Sequence, residues 1–132
     1  MTRKDEFLAH VLELLAPAGA ISARRMFGGH GLYCDGLFFG ILHDDLLFLK
    51  ADDRNRGNFE RAGCEIFTYS RKGKHATLNF YRAPEDAMDA PQAMLPWARS
   101  AVSAALRARA AAGKRPVSGR KPGRQKSREK RR

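Results

Sequence analysis

Three short apolar runs within residues 22–50 constrain this chain more than any other feature of its sequence. The runs cover residues 32–34, 37–42 and 46–49. They have the length of strands and are too short for independent helices. Pairs of turn-forming residues punctuate them: Gly28-Gly29, Asp35-Gly36 and Asp44-Asp45. Asp-Gly suits a two-residue hairpin, whose central residues need a positive φ. The sequence therefore predicts an antiparallel meander.

A second hairpin is predicted downstream. Residues 65–70 and 76–81 are rich in β-branched and aromatic side chains, and the basic turn 71–75 separates them. Alternation along the strand places Phe67 and Tyr69 on one face. Several meander residues are apolar at consecutive positions, which indicates that both faces of the sheet are covered. We expect helices on one face and a second copy of the chain on the other.

Three helices are predicted around these strands. Apolar residues recur at helical spacing over residues 3–16, and a shorter helix is expected over residues 54–62. An alanine-rich helix follows residue 91, and we expect it to begin near Leu95 with Pro96 in its first turn. The predicted class is α+β: two layers, with an antiparallel sheet of five or six strands and helices packed on one face.

The charge of the chain is concentrated at one end. The net charge is +11, and residues 107–132 hold twelve Lys or Arg against one acid, whereas residues 1–106 hold thirteen of each sign. We predict a folded domain over residues 1–111 and a disordered basic tail over residues 112–132, because the tail has too few apolar residues to offset its ordering entropy. Its cations could neutralise phosphates of nucleic acid without reading sequence. They are Lys114, Arg115, Arg120, Lys121, Arg124, Lys126, Arg128, Lys130, Arg131 and Arg132.

No catalytic or metal-binding pattern is identified. The glycines of residues 28–31 lack the Lys-Ser/Thr pair and the following helix of a phosphate-binding loop, so they are interpreted as a turn or bulge. Cys34, Cys64 and the histidines show no paired zinc spacing. The acidic pairs at 44–45 and 52–53 suit turns and helix caps better than a cation. We expect no enzyme activity, no cofactor and no metal.

One small-ligand site is considered as an alternative. Arg24, Arg25, His30 and Tyr33 lie around the glycine-rich stretch and could bind an anion. On alternating faces of a strand, only one of the two arginines can point at a given ligand.

The sequence also predicts a compartment. There is no run of about 18 apolar residues, as a membrane-spanning helix needs. The N-terminal segment carries acids where a signal peptide is uncharged. Two cysteines without an export signal are most simply reduced thiols, so a cytoplasmic location is expected.

Several segments together resemble the N-terminal domain of the TfoX/Sxy proteins, bacterial regulators of natural competence genes. The segments are RMFGGHGLY, DGLFFGI, DLLFLK, FTY and WAR, at residues 25–33, 35–41, 45–50, 67–69 and 97–99. The resemblance covers roughly residues 5–110. It implies a two-layer fold similar to secretion chaperones and often dimeric. Full-length regulators have a second, helical domain where this chain has its basic tail, so we expect a stand-alone N-terminal domain.

These observations predict a non-enzymatic cytoplasmic regulatory protein, a transcription co-regulator whose tail binds nucleic acid in a salt-dependent way. A protein partner and a homodimer are also expected. The alternatives are a small-molecule or anion-binding domain and, by fold analogy, a chaperone-like protein-binding module.

Overall fold

The computed structural model describes residues 3–26 and 28–113, which form three α-helices and one six-stranded sheet. The helices are α1 (Arg3–Leu15), α2 (Arg56–Arg61) and α3 (Pro91–Gly113). The strands are β1 (Ile21–Met26), β2 (Gly29–Cys34), β3 (Leu37–His43), β4 (Leu46–Lys50), β5 (Ile66–Arg71) and β6 (Lys74–Arg82). Short 3-10 helices at Ala16–Ala18 and Glu85–Asp89 complete the described elements.

The sheet is antiparallel throughout, with the strand order β1-β2-β3-β4-β6-β5. The first four strands form the predicted meander, and the second hairpin joins it through β6, which pairs with β4. The predicted α+β class, with helices packed on an antiparallel sheet, is confirmed.

Three hairpin turns show the backbone conformation that their residues favour. Asp35 and Gly36 have φ angles of 50° and 83°, and Asp44 and Asp45 have 52° and 59°. Lys72 and Gly73 have 52° and 77°. Both central residues of each turn therefore lie in the left-handed region, which matches the twist of the flanking strands. The prediction from Asp35-Gly36 is confirmed.

The glycine-rich stretch is more strand than turn, which corrects the sequence-based interpretation. Gly28, with a φ of 75°, belongs to the turn, but Gly29 and Gly31 lie within β2. A Cβ on Gly29 would clash with the Leu42 carbonyl oxygen, so only glycine allows β2 and β3 to approach this closely.

One face of the sheet carries the main core, to which all three helices contribute. Val11 and Leu15 of α1, Phe59 of α2 and Met94 of α3 are fully buried against strand residues such as Leu49. Burial of each such side chain contributes about 1.5–3 kcal/mol. This packing holds the helices on a single face and leaves the opposite face to the strands.

Helix α3 begins earlier than predicted. It starts at Pro91, and Pro96 lies inside it, rather than in a first turn near Leu95. Proline at the first helical position needs no N–H partner, so Pro91 is itself a suitable start. Pro96 removes one helical hydrogen bond, but the turn before it places Met94 in the core with no exposed surface. Burial of Met94 offsets that loss.

Strand β1 is the strand for which no bounds were predicted. Arg24 and Arg25 lie inside it, on alternating faces as expected for neighbouring residues of a strand. It is an edge strand in which only half of the residues are apolar, and it is held by main-chain pairing with β2 from Ile21 opposite Cys34 to Met26 opposite Gly29. Hydrophobic periodicity therefore gives little sign of it.

Candidate functional site

The four residues of the predicted anion site divide into two pairs on opposite faces of the sheet. Arg25 lies opposite His30 across β1 and β2, and both line a cavity at the sheet edge. Arg24 and Tyr33 lie on the other face, where the Arg24 guanidinium carbon is 5.4 Å from the centre of the Tyr33 ring. Alternation along β1 separates the two arginines, so the four side chains do not form one site.

The cavity beside Arg25 and His30 has a volume of about 570 Å³ and mixed charge. Its lining also includes His43 and the carboxylates of Asp44 and Asp45. His43 Nε2 lies 3.6 Å from an Asp44 carboxylate oxygen, and His43 Nδ1 is buried without a hydrogen-bond partner among the described residues. Both signs of charge therefore meet in this cavity.

The opposite face carries a continuous row of rings and cations, which we call the ring row: Arg24, Tyr33, Phe38, Phe80 and Lys50. The Tyr33 and Phe38 ring centres are 5.3 Å apart, and those of Phe38 and Phe80 are 5.1 Å apart. The Lys50 ammonium lies 5.0 Å from the centre of the Phe80 ring. A cation over a ring thus closes the row at each end.

A second apolar cluster supports the ring row. Ile41, Phe48, Phe67 and Phe80 are buried at its centre, and Phe38, Leu46, Tyr69 and Leu78 pack around them half-buried. Phe67 contacts Phe48 edge-on and stacks on Tyr69, as expected for two side chains on one strand face. Every described member of this cluster belongs to a strand, so among the described residues no helix residue joins it.

The sheet is also unusual in its charge. The six strands contain no aspartate or glutamate, although they contain several basic residues. Burial lowers the pKa of Lys50 from its usual range, and the Asp52 carboxylate partly opposes that effect. A guanidinium nitrogen of Arg82 lies 4.0 Å from a carboxylate oxygen of Glu65, an exposed residue just before β5. The face of the ring row is therefore aromatic and cationic.

The thiols offer no activated nucleophile. Both cysteines are free. Burial and the neighbouring Asp35 carboxylate raise the pKa of Cys34, and burial raises the pKa of Cys64 against the smaller effect of Arg82. Within residues 3–26 and 28–113, no three His, Cys, Asp or Glu side chains converge to hold a metal ion. In the same part of the chain, no helix is long and apolar enough to cross a membrane.

Other predicted site residues lie beyond the described part of the chain. Helix α3 runs to Gly113, and the ten cations predicted to bind nucleic acid fall in residues 114–132.

The ring row was not predicted from the sequence. Consecutive apolar residues in β3 and β4 indicated that both faces carry apolar side chains, but the contact between Phe38 and Phe80 depends on strand pairing distant in sequence.

Fold and site together define an α+β domain with helices on one face of an open antiparallel sheet and an aromatic, cationic opposite face. The chain belongs to the TfoX N-terminal domain family, whose sequence model matches residues 13–105. It is similar to the DNA transformation protein TfoX1 of Aliivibrio fischeri, with 33% identity over 67 residues, which cover 51% of this chain and 32% of that protein. It is also similar to Protein Sxy of Escherichia coli, with 33% identity over 73 residues, which cover 55% of this chain and 35% of that protein. The matched segments thus span about a third of each relative.

Proposed function

We propose that the protein is a non-enzymatic cytoplasmic regulator of the TfoX/Sxy type, acting in competence-related transcription and binding nucleic acid through its basic C-terminal segment. The family supports the regulatory part, since one relative is named as a DNA transformation protein. A homodimer and a protein partner stay predictions from the sequence.

The division of charge along the chain carries this proposal. Residues 1–106 hold thirteen basic and thirteen acidic residues, whereas residues 107–132 hold twelve basic residues and one acid. A segment of this composition attracts phosphates, because each contact releases a counterion from the nucleic acid. Lys and Arg on such a segment position the protein on the backbone without reading bases.

The test compares two sets of three neutral substitutions in the full chain. One variant carries Arg124→Gln, Lys126→Gln and Arg128→Gln in the C-terminal segment. The matched control carries Arg54→Gln, Arg61→Gln and Arg99→Gln, which are exposed in the folded domain and lie outside residues 107–132. Affinity for a short DNA duplex is measured by fluorescence anisotropy at low salt. We expect the first variant to bind several-fold more weakly than the control, and equal affinities would reject the role of the segment.

The mixed-charge cavity supports a second candidate function, the binding of a small ligand. Its volume of about 570 Å³ lies within the range of small-molecule sites. Arg25 and His30 could hold a carboxylate or phosphate, while Asp44 on the same lining favours a ligand that also carries a positive charge. Isothermal titration with phosphate and with free amino acids tests this function. Heat that disappears in Arg25→Gln supports it, and no heat from either probe rejects it.

A further inference from the structure

We propose that the open face of the sheet binds single-stranded nucleic acid, with bases against Tyr33 and Phe38 and phosphates near Arg24 and Lys50. This inference concerns the folded domain and is independent of the basic C-terminal segment.

The ring row supplies the stacking surface. Tyr33 and Phe38 are half-buried, so part of each residue is accessible, and their ring planes are inclined by 30°. Phe80, the next ring of the row, has 4% of its surface exposed and packs against the Phe38 ring. Rings held in place by packing can accept a base without losing much side-chain freedom. Stacking on such rings tolerates any base, since every base has a π face.

Cations at both ends of the row are placed for the backbone of a strand that crosses the sheet. Arg24 on β1 and Lys50 on β4 stand over the terminal rings at 5.4 and 5.0 Å. A row of aromatic faces flanked by basic side chains is the arrangement that single-strand-binding proteins use.

Charge decides among the occupants of this face. A second copy of the chain would set Arg24 and Lys50 against the same cations of its partner, and the C-terminal segment is itself strongly basic. The strands offer no carboxylate to offset either repulsion. The carboxylates beside the face belong to neighbouring turns and loops: Asp44 near His43, Asp52 near Lys50, and Glu65 near Arg82. A polyanion complements the face, whereas both alternatives repel it.

A single strand fits better than a duplex. Bases within a duplex are stacked on one another and cannot reach an aromatic side chain, whereas unpaired bases expose their faces. Duplex binding is therefore left to the basic segment, and the sheet face adds a preference for unpaired nucleotides.

The experiment uses the full chain with the ten Lys and Arg of residues 114–132 changed to Gln, in salt of about 0.3 M, where purely electrostatic binding is weak. Anisotropy is measured with oligo(dT), oligo(U) and a duplex, each of about twelve nucleotides. Tyr33→Leu and Phe38→Leu remove the rings but keep a branched apolar side chain at each position. Trp97→Leu is the matched control, because Trp97 is also half-buried but packs against Phe59 on the helix-covered side.

Each ring substitution is expected to weaken single-strand binding by roughly five- to a hundred-fold, as for the loss of one stacked base, while Trp97→Leu leaves it unchanged. Lys50→Gln should weaken binding to both single strands, and Arg99→Gln, in α3, should not. These two charge variants still decide the question if a ring variant fails to fold.

Other results would overturn the inference. Single-strand affinity that is unchanged in Tyr33→Leu, Phe38→Leu and Lys50→Gln would reject it. A dimer that dissociates in those variants would also reject it, because that result assigns the face to a second copy of the chain. Binding of either oligo(dT) or oligo(U) that is weakened in the ring variants supports it, and the more tightly bound of the two is the preferred oligonucleotide. If duplex binding at low salt is unchanged after the ten cations of residues 114–132 are neutralised, the proposed role of the basic C-terminal segment is rejected instead. Failure of the proposed function and failure of this inference therefore give different results.

Discussion

Arg107 and Asp52 form a two-pronged ion pair that fastens helix α3 to the loop after β4. Arg107 Nε donates to one Asp52 carboxylate oxygen at 2.6 Å, and a terminal guanidinium nitrogen donates to the other at 2.9 Å. The same carboxylate accepts hydrogen bonds from the backbone N–H groups of Arg54 and Asn55. Asp52 therefore organises the loop before α2 and ties it to α3.

Substitution of Arg107→Gln should destabilise the protein by about 1 kcal/mol. Two charge-assisted hydrogen bonds are lost. The loss is moderate because the side chains of Arg107 and Asp52 are 34% and 29% exposed, so that solvent screens the ion pair. Urea unfolding monitored by circular dichroism measures the change. Arg109→Gln, exposed on the same helix, is the control and should be neutral. Equal losses in both variants would contradict the importance of the pair.

The same pair predicts a pH dependence. The hydrogen bonds from Arg107 hold the pKa of Asp52 below its usual range, and two backbone N–H groups add to this effect. Because the folded pKa is depressed, the stabilisation is present above about pH 4 and is lost as pH falls through the folded pKa. Asp52→Asn should therefore lose less stability than the unsubstituted protein between pH 5 and 3. Parallel stability curves over that interval would be inconsistent with this assignment.

Asn55→Ala should cost about 2 kcal/mol, because it leaves polar groups of half-buried residues without their partners. Asn55 has 4% of its surface exposed, and its side-chain nitrogen donates to the Lys50 carbonyl and to Ser100 of α3. Its side-chain oxygen accepts from the Asp52 N–H at 2.7 Å. Thermal unfolding measures the loss, and Asn58→Ala, at an exposed position nearby, should change little. A neutral Asn55→Ala would show that these bonds are replaced by water.

Two glycine-to-alanine changes should differ in cost for separate physical reasons. Gly29→Ala sets a methyl group against the Leu42 carbonyl oxygen and should cost about 3 kcal/mol. Gly36→Ala meets no atom within 4 Å and carries only the strain of a φ of 83°, about 1 kcal/mol. Chemical denaturation of both variants gives the comparison. If Gly36→Ala lowered the free energy of unfolding more than Gly29→Ala, the result would contradict the close approach of β2 and β3.

The two thiols should react at different rates in the folded protein. Cys34 has 2% of its surface exposed and a raised pKa, so little thiolate is available to a disulfide reagent at pH 8. Cys64 is half-buried and should react faster. Cys64→Ser isolates Cys34, whose reaction should be limited by opening of the fold and become rapid in denaturant. Immediate reaction of Cys34 in the native protein would contradict the burial of its thiol group.

Local chemistry in the sequence was sufficient for the central strands. Asp35-Gly36 adopts the two positive φ angles that its residues favour, and the apolar runs of β3 and β4 lie where they were predicted. These features depend on neighbouring residues and on burial, which a single sequence displays.

Features that depend on distant pairing were not predictable in the same way. Strand β1 has a mixed, partly basic sequence and exists because β2 offers it hydrogen-bond partners. The start of α3 at Pro91 depends on the burial of Met94, which outweighs the local effect of Pro96. The ring row forms only because β6 pairs with β4. Arg24 and Arg25 do not share one site, because neighbouring residues of a strand point to opposite faces of the sheet.

The most direct test of the central claim is the salt dependence of duplex DNA binding by the full chain. Ten of the twelve basic residues in residues 107–132 lie in residues 114–132. We predict a steep linear fall of log K with log salt, and a slope that becomes shallower by roughly 0.9 for each cation in contact with phosphate when those ten residues are changed to Gln. The same slope in both proteins would contradict the account.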